Sequence, residues 1–256
     1  YMKTIILAGG LGTRLSEYTH EVPKPMVPIG KIPMLVHVMS LYAKYGFNEF
    51  IIATGYKSEI IDNYFIEKSS EIILNTKEKK VIKYSPEIKN VLGNWTITII
   101  FTGNNTMTGG RVKRVQAEIG NNQFMLTYGD GISNVDIKKL EEFHNKNKKL
   151  ATLSAVRPPV RFGELELKDD QVINFAEKPR LQKGWINGGF FILESKIFDL
   201  IDGDETMFER EPLEKIVEMN ELMAFKHEYF WQCMDTKRDK DILEEMWAEN
   251  KTPWLK

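Results

Sequence analysis

The chain opens with a short apolar run that leads directly into a glycine-rich loop. Residues Thr4–Ala8 read TIILA, and Gly9, Gly10 and Gly12 follow. A short apolar run of this kind is typical of a buried strand, and glycines after it let backbone N–H groups come close to a bound anion. We therefore expect an α/β fold whose first strand delivers a polyphosphate-binding loop.

Two cationic side chains follow this loop closely. Arg14 lies at its end, and Lys24 stands between Pro23 and Pro25. Arginine and lysine supply positive charge for phosphate groups, and the flanking prolines stiffen the backbone that carries Lys24. We predict that this region binds a nucleoside triphosphate. The alternative is a tight turn that needs glycine only for its dihedral angles, which would leave both cations without a role.

Two common phosphate-binding patterns do not match the loop. The P-loop pattern G-x-x-x-x-G-K-[ST] is missing, and Leu15 stands where the dinucleotide pattern G-x-G-x-x-G requires its third glycine. The second predicted strand ends in Thr54-Gly55, without an acidic residue for a ribose hydroxyl. NAD binding is therefore disfavoured.

Strand and helix patterns alternate through roughly the first 150 residues, which predicts a mostly parallel sheet covered on both faces. The predicted strands are Lys3–Ala8, Glu49–Thr54, Thr96–Phe101, Gln123–Tyr128, Ala151–Val156, Glu164–Leu167, Val172–Ala176, Gly188–Leu193 and Met223–Glu228. The predicted helices are Met34–Tyr45, Ser58–Phe65, Gly110–Gly120, one capped by Asp136, Ser195–Ile201, Glu211–Met219 and Arg238–Glu249. The lysine- and glutamate-rich segment Glu67–Asn94 is predicted as a surface flap or hairpin, with a functional lid as the alternative. No clear linker divides the chain, so we predict a single domain over residues 1–256, with parts of about 1–150 and 151–256.

Two aspartates follow apolar stretches that read as strands. Asp130 comes directly after Gln123–Tyr128 and Gly129, at the sheet edge where open α/β folds bind ligands. A carboxylate beside a triphosphate can hold Mg²⁺, which prefers oxygen ligands. Asp235 is either a second metal ligand or the N-cap of the helix near Arg238, and the sequence leaves both open. The scattered histidines are predicted to be packing or surface residues: His20, His37, His144 and His227.

Three further segments carry candidate binding residues. Lys178, within Glu177–Pro179, could hold a phosphate or simply belong to a solvated turn. The paired glycines after Asn187 permit close approach of a sugar, and the Asn187 amide can both donate and accept hydrogen bonds. The segment Thr106–Arg111 contains two glycines and opens a helix, so its backbone could read a base edge or bind an anion.

Composition narrows the range of partners. The formal net charge of −1 gives no global field for nucleic acid or an anionic membrane. Cys233 has no second cysteine with which to form an internal disulfide, which is typical of a reducing compartment. No apolar run approaches the ~20 residues of a membrane span, and a strand pattern from Lys3 predicts that there is no signal peptide. We expect a cytoplasmic protein.

Together these motifs resemble the signature of the sugar nucleotidyltransferases, also called nucleotide-sugar pyrophosphorylases. The resemblance spans nearly the whole chain, and Leu7–Leu15 with Pro23–Met26 carries the family signature. The segments that resemble the cytidylyl branch, which joins CTP to glucose 1-phosphate, are Met107–Arg111, Thr127–Gly131, Arg161–Gly163, Glu177–Pro179, Ile186–Phe191 and Trp231–Thr236. The chain departs from the pattern at Cys233, where a proline is usual, at Glu21-Val22 and over Glu67–Asn94.

The resemblance implies a Rossmann-like fold with a mostly parallel central sheet flanked by helices and a smaller mixed β part that binds the sugar. It also implies Mg²⁺ as cofactor, CTP and a sugar 1-phosphate as substrates, and a homo-oligomer. The implied nucleotide-binding residues are Leu7, Ala8, Gly9, Gly10, Leu11, Gly12, Thr13, Arg14, Lys24, Thr106, Arg111 and Gly129. The implied sugar phosphate-binding residues are Glu177, Lys178, Asn187 and Gly188, and the implied metal ligands are Asp130 and Asp235. The implied catalytic residues are Arg14, Lys24, Asp130 and Lys178.

Three rival functions follow from the same residues. One is a nucleotidyltransferase that uses another base or another phosphorylated acceptor. Another is a nucleotide-sugar binding protein without catalysis, which the combination of cations and carboxylates disfavours. The third is a glycosyltransferase, which typically carries a D-x-D arrangement, whereas Asp130 is followed by glycine and isoleucine.

Overall fold

The computed structural model describes residues 2–88, 91, 93–157, 164–168, 171–176 and 184–256, and side chains 14, 16, 164–168 and 174–176 lie outside this description. The strands are β1 Lys3–Ala8, β2 Pro28–Ile29, β3 Ile32–Pro33, β4 Glu49–Thr54, β5 Ser69–Asn75, β6 Lys79–Tyr84, β7 Trp95–Phe101, β8 Phe124–Tyr128, β9 Gly131–Ser133, β10 Ala151–Val156, β11 Glu164–Lys168, β12 Gln171–Ala176, β13 Ile186–Leu193, β14 Leu222–His227 and β15 Trp231–Cys233. The α-helices are α1 Ser16–Thr19, α2 Met34–Ala43, α3 Ser58–Glu67, α4 Thr108–Arg114, α5 Gln116–Ile119, α6 Ile137–Asn147, α7 Glu211–Glu218 and α8 Lys237–Ala248. The 3₁₀ helices are Thr13–Leu15, Lys24–Met26, Ser195–Leu200 and Pro253–Leu255.

A nine-stranded sheet in the order β14-β10-β13-β8-β1-β4-β7-β6-β5 forms the centre of the molecule. Strands β13 and β6 run opposite to the others, and the parallel pairs include β8–β1, β1–β4 and β4–β7. The predicted α/β fold with a mostly parallel central sheet is confirmed. Strand β13 lies between β8 and β10, so both parts of the chain contribute to one sheet.

Helices cover both faces of this sheet because alternate residues of each buried strand point to opposite sides. In β1, Ile6 belongs to a buried cluster that includes residues of α2, α3 and α6. Ile5 and Leu7 belong to a second cluster that includes residues of α4, α5 and α7. Both faces of β1 are thus buried, which explains its uninterrupted apolar sequence.

Two sequence-based predictions need correction. Gly110–Gly120 is not one helix but two, α4 and α5, which meet at Val115. Val115 is fully buried with Val112 and Ile119 in the second cluster, and its backbone leaves helical geometry there. The helix predicted at Ser195–Ile201 is a 3₁₀ helix.

The segment Glu67–Asn94 contains a β-hairpin, one of the two surface structures that its sequence predicts. Strands β5 and β6 are antiparallel, and β6 also pairs with β7, so the hairpin extends the central sheet at its edge.

Across the described ranges, no helix is both long enough and apolar enough to cross a membrane.

Candidate active site

A cavity of about 340 Å³ opens at the carboxyl edge of the central sheet, where β1 and β8 end. Its wall contains ten of the twelve residues predicted to bind the nucleotide: Leu7, Ala8, Gly9, Gly10, Gly12, Thr13, Lys24, Thr106, Arg111 and Gly129. Asp130 also lines it. Leu11 does not line the cavity, and it is 57% exposed. The Arg14 backbone belongs to the adjoining 3₁₀ helix, and its side chain lies outside the description.

Arg111 supports the glycine loop from below. Its guanidinium is buried and donates hydrogen bonds to backbone carbonyls at the loop and at the ends of β4 and β7. The acceptors are Gly9 O at 3.0 Å, Thr54 O at 3.0 Å, Gly103 O at 2.7 Å, Asn104 O at 3.5 Å and Thr102 Oγ1 at 2.8 Å. The resemblance implies that Arg111 lies at the nucleotide. In the structure Arg111 lines the cavity, and both terminal nitrogens of its guanidinium donate hydrogen bonds to the protein.

Lys24 enters the cavity from a 3₁₀ helix that begins after Pro23. The following Pro25 packs so closely on Gly129 that a Cβ at this glycine would lie 2.9 Å from Pro25 Cγ. Gly129 N also donates to Leu7 O at 3.0 Å. The absence of a side chain at Gly129 therefore lets the lysine-bearing segment approach the ends of β1 and β8.

Lys24 joins the two aspartates that the sequence singles out. Its Nζ lies 2.6 Å from Asp130 Oδ2 and 2.6 Å from Asp235 Oδ1. Burial acts to lower the pKa of Lys24, but the charges and hydrogen bonds of Asp130 and Asp235 outweigh it and hold the pKa above its usual value. The lysine is therefore a fixed cation between two carboxylates.

A small ribbon explains how these distant aspartates meet. Strand β9 pairs with β15 so that Gly131 lies opposite Cys233. Asp130 and Asp235 flank this ribbon, and Met234 N donates to Asp130 O at 2.8 Å. The ribbon therefore delivers both carboxylates to one point.

The structure excludes one of the two interpretations that the sequence leaves open for Asp235, namely that it is the N-cap of α8. The N-cap of α8 is Thr236, which forms a capping box with Asp239. The Asp235 carboxylate instead contacts Lys24 and accepts a hydrogen bond from the Cys233 thiol, with 3.6 Å between Sγ and Oδ2. Burial and the surrounding carboxylates raise the pKa of this thiol to about 12, so it stays a protonated donor.

The donor set at this point fits Mg²⁺. Two carboxylate oxygens converge on one cation, the Lys24 ammonium, and so define a position that favours positive charge. Mg²⁺ in such sites is typically held by one or two carboxylates together with substrate phosphates and water. In the described part of the chain no cluster of three or more histidine, cysteine or acidic side chains forms an all-protein metal site.

The start of α4 is held by a loop that precedes α7. Met107 N donates to Asp204 O at 2.8 Å, and the N–H groups of Gly109 and Gly110 donate to Thr206 O at 2.9 and 3.3 Å. These backbone donors are therefore occupied by protein carbonyls. The prediction that this backbone could bind an anion is wrong for these three N–H groups, because the helix start already has partners.

Residues predicted for the sugar phosphate lie partly outside the description. Glu177 and Lys178 fall in the range 177–183 that the structure does not describe, as does Arg161–Gly163 in 158–163. Asn187 and Gly188 lie on β13, at the same edge of the sheet as the cavity. Asn187 Oδ1 accepts a hydrogen bond from Gly189 N at 2.9 Å.

Sequence reasoning missed two features of the site. It did not predict the β9–β15 ribbon, whose strands are only three residues long. It also did not single out Glu209, which accepts hydrogen bonds from Tyr128 and Thr108 on the cavity wall. No local pattern marks a lone glutamate before a helix as part of a site.

Known proteins resemble this chain in sequence and in fold. The family model described as "Nucleotidyl transferase" matches residues 3–248. The chain is 46% identical to a glucose-1-phosphate cytidylyltransferase of Salmonella typhimurium, over 99% of this chain and 98% of that protein. It is 38% identical to a probable glucose-1-phosphate cytidylyltransferase of Bacillus subtilis, over 99% of each. The crystal structure of HddC from Yersinia pseudotuberculosis has a TM-score of 0.70 at 26% identity, covering 96% of this chain and 100% of that one.

Proposed function

We propose a specific reaction for this chain, which belongs to the nucleotidyl transferase family. It transfers a cytidylyl group from CTP to glucose 1-phosphate and gives CDP-glucose and pyrophosphate. The observation that carries this choice of base and sugar is the 46% identity over 99% of the chain to a relative named for that reaction. The cavity supports the same reaction because it combines a glycine loop, a cation and two carboxylates.

In the proposed mechanism, a phosphate oxygen of glucose 1-phosphate attacks the α-phosphorus of CTP in line, and pyrophosphate leaves. The protein forms no covalent intermediate, so catalysis consists of positioning and charge neutralisation. The backbone of Leu7–Thr13 holds the triphosphate. Lys24 offsets the charge that builds on the α-phosphoryl group, and Arg14 stabilises the leaving pyrophosphate.

The acceptor is held by the other part of the site. We assign Lys178 to the attacking phosphate, which the triphosphate would otherwise repel, and Glu177, Asn187 and Gly188 to the sugar. Asp130 and Asp235 would hold Mg²⁺, which would neutralise phosphate charge at this position. Phosphate groups in the cavity offer Lys24 an anionic partner in place of the two carboxylates.

A pyrophosphate-release screen tests this proposal. The protein is incubated with Mg²⁺, each of CTP, UTP, dTTP and GTP, and either glucose 1-phosphate or mannose 1-phosphate. CTP with glucose 1-phosphate should give the highest kcat/KM, and Lys24→Ala should strongly reduce the rate of pyrophosphate release. A higher kcat/KM with another pair would support the rival transferase, and nucleotide binding without pyrophosphate release would support a binding protein.

We further propose that the chain is a single domain over residues 1–256, with a nucleotide-binding part of about 1–150 and a sugar-binding part of about 151–256. The position of β13 between β8 and β10 supports this. We also propose a cytoplasmic homo-oligomer. Light scattering after size exclusion tests the assembly, and a mass close to the chain's 29.7 kDa would contradict it.

A further inference from the structure

A chain of hydrogen bonds connects the two sides of the candidate site through Glu209. Glu209 Oε2 accepts from Thr108 Oγ1 at 2.6 Å, and Glu209 Oε1 accepts from the Tyr128 hydroxyl at 2.6 Å. Thr108 and Tyr128 both line the cavity, whereas Glu209 lies behind them. Hydrogen bonds to a carboxylate are about twice as strong as those between neutral groups, so this pair of contacts is well suited to fix both side chains.

On the nucleotide side, Thr108 is fixed from two directions. Its hydroxyl donates to Glu209 and accepts a hydrogen bond from Phe208 N at 2.9 Å. The neighbouring Arg114 pairs with Asp204 through two hydrogen bonds, of 2.8 and 2.5 Å. The loop before α7 therefore sets the position of the whole segment that carries Thr106 and Arg111.

On the sugar side, Tyr128 contacts the start of β13. A Cβ at Gly189 would lie 2.6 Å from Tyr128 Cδ2, so the ring packs directly on this glycine, whose φ is +81°. Gly189 directly follows Asn187 and Gly188 on β13, the two described residues that we assign to the sugar. The hydrogen bond from the Tyr128 hydroxyl therefore links Glu209 to the wall of the cavity that we assign to the sugar.

We infer that Glu209 is a positioning residue that holds the nucleotide-side wall at Thr108 and the sugar-side wall at Tyr128 in one fixed relation. This inference rests on the proposed function, because it assigns the two walls to the two substrates. In-line displacement needs both substrates held in one geometry at the same time. A wall that is no longer fixed should hold its own substrate less well and raise the KM for that substrate. Glu209 acts through its two neighbours and does not line the cavity.

Steady-state kinetics of single variants test the two hydrogen bonds of Glu209 separately. Thr108→Val should raise mainly the KM for CTP, and Tyr128→Phe mainly the KM for glucose 1-phosphate. Glu209→Ala should raise both KM values, each by roughly ten-fold, which is the scale of losing a hydrogen bond to a charged group. Glu209→Gln keeps one acceptor oxygen for the two hydroxyl donors and should therefore recover only part of the loss. Glu205→Ala removes an exposed glutamate from the same loop and serves as the matched control.

Several results would overturn the inference. One is a Glu209→Ala variant with both KM values unchanged, even if its melting temperature falls, because that would show a structural role alone. Another is that Thr108→Val raises mainly the KM for glucose 1-phosphate while Tyr128→Phe raises mainly the KM for CTP. This result can be measured even if Glu209→Ala does not fold. CTP binding measured by calorimetry distinguishes the two proposals, because it needs no turnover. Wild-type protein that binds CTP but releases no pyrophosphate in the kinetic assay contradicts the proposed reaction. Equal CTP affinities of wild type and Glu209→Ala contradict the role of Glu209.

Discussion

Lys24 Nζ lies at the same distance, 2.6 Å, from Asp130 Oδ2 and from Asp235 Oδ1. The lysine side chain is 9% exposed, so solvent screens these contacts much less than it would on the surface. The ammonium therefore occupies the point at which both carboxylates favour a cation. We expect this point to receive Mg²⁺ when Lys24 turns to the phosphates of a bound nucleotide.

Lys24→Gln should reduce kcat by roughly 10²- to 10³-fold, the scale of losing one group that stabilises a transition state. It should also strengthen Mg²⁺ binding without nucleotide, because two carboxylates are left without their ammonium partner. Melting temperatures with and without Mg²⁺ check this second effect. Lys31→Gln, at an exposed lysine, is the control. If Mg²⁺ stabilises the Lys24 variant no more than it stabilises wild type, the expectation that the metal and the Lys24 ammonium occupy the same point would be contradicted.

Asp130→Asn and Asp235→Asn should each shift the Mg²⁺ titration of activity to higher concentration. Each change removes a charged ligand while it keeps the size of the side chain. The exposed Asp241→Asn, whose partner is Lys237, should leave the titration unchanged. Titrations of either site variant that overlay the wild-type curve would argue against two metal ligands.

Arg14→Ala should reduce kcat by roughly 10²- to 10³-fold, because a cation near the leaving pyrophosphate is lost. The expectation rests on the backbone of Arg14, which directly follows cavity-lining Thr13. The exposed Arg238→Ala is the matched control. Steady-state kinetics decide, and near-normal kcat in Arg14→Ala would refute the assignment.

Gly9→Ala should destabilise the protein by about 1–3 kcal/mol, as overpacking does. A Cβ at Gly9 would overlap the Arg111 guanidinium, which its hydrogen bonds to the ends of β4 and β7 hold in place. At Gly10 a Cβ would meet nothing within 4 Å. Denaturant unfolding should therefore separate Gly9→Ala from its neighbour Gly10→Ala, and equal free energies of unfolding would show that Arg111 does not buttress the loop.

The stability of the protein should fall between pH 6.5 and about 4 because of His37. Burial lowers the pKa of His37 to about 4, and its ring is held neutral between Ile29 O at 3.1 Å and Trp254 Nε1 at 3.2 Å. In this window the unfolded chain takes up a proton that the folded protein does not, which costs about 1.4 kcal/mol per pH unit. Above pH 6.5 this contribution is fully present.

Urea unfolding at several pH values checks this prediction. His37→Gln should have a shallower dependence of unfolding free energy on pH than wild type. The exposed His20→Gln should keep the wild-type slope. Identical slopes in all three proteins would show that His37 does not titrate with unfolding.

The features that the sequence predicted well are those with local causes. The apolar sequence of β1 and the glycines after it define a buried strand and a bare loop without reference to the rest of the chain. Most predicted strands and helices are confirmed within a few residues for the same reason. The break between α4 and α5 at Val115 was missed, because it depends on packing against the second buried cluster.

The arrangement of the site depends on contacts between distant residues, and these could not be predicted from one sequence. Asp235 meets Asp130 because the short strands β9 and β15 pair, and such strands carry no periodic signal. The backbone donors of α4 are occupied because Thr206 lies beside them. Glu209 enters the site in the same way, through the loop that precedes α7.

A crystal structure of the protein with CTP and Mg²⁺ would show whether the loop after β1 and the two aspartates together form the substrate site. We predict that the triphosphate lies along Leu7–Arg14, that the metal contacts both Asp130 and Asp235, and that Lys24 Nζ has moved from these carboxylates to a phosphate oxygen. A triphosphate bound away from the loop after β1, or a metal that contacts neither aspartate, would contradict the account.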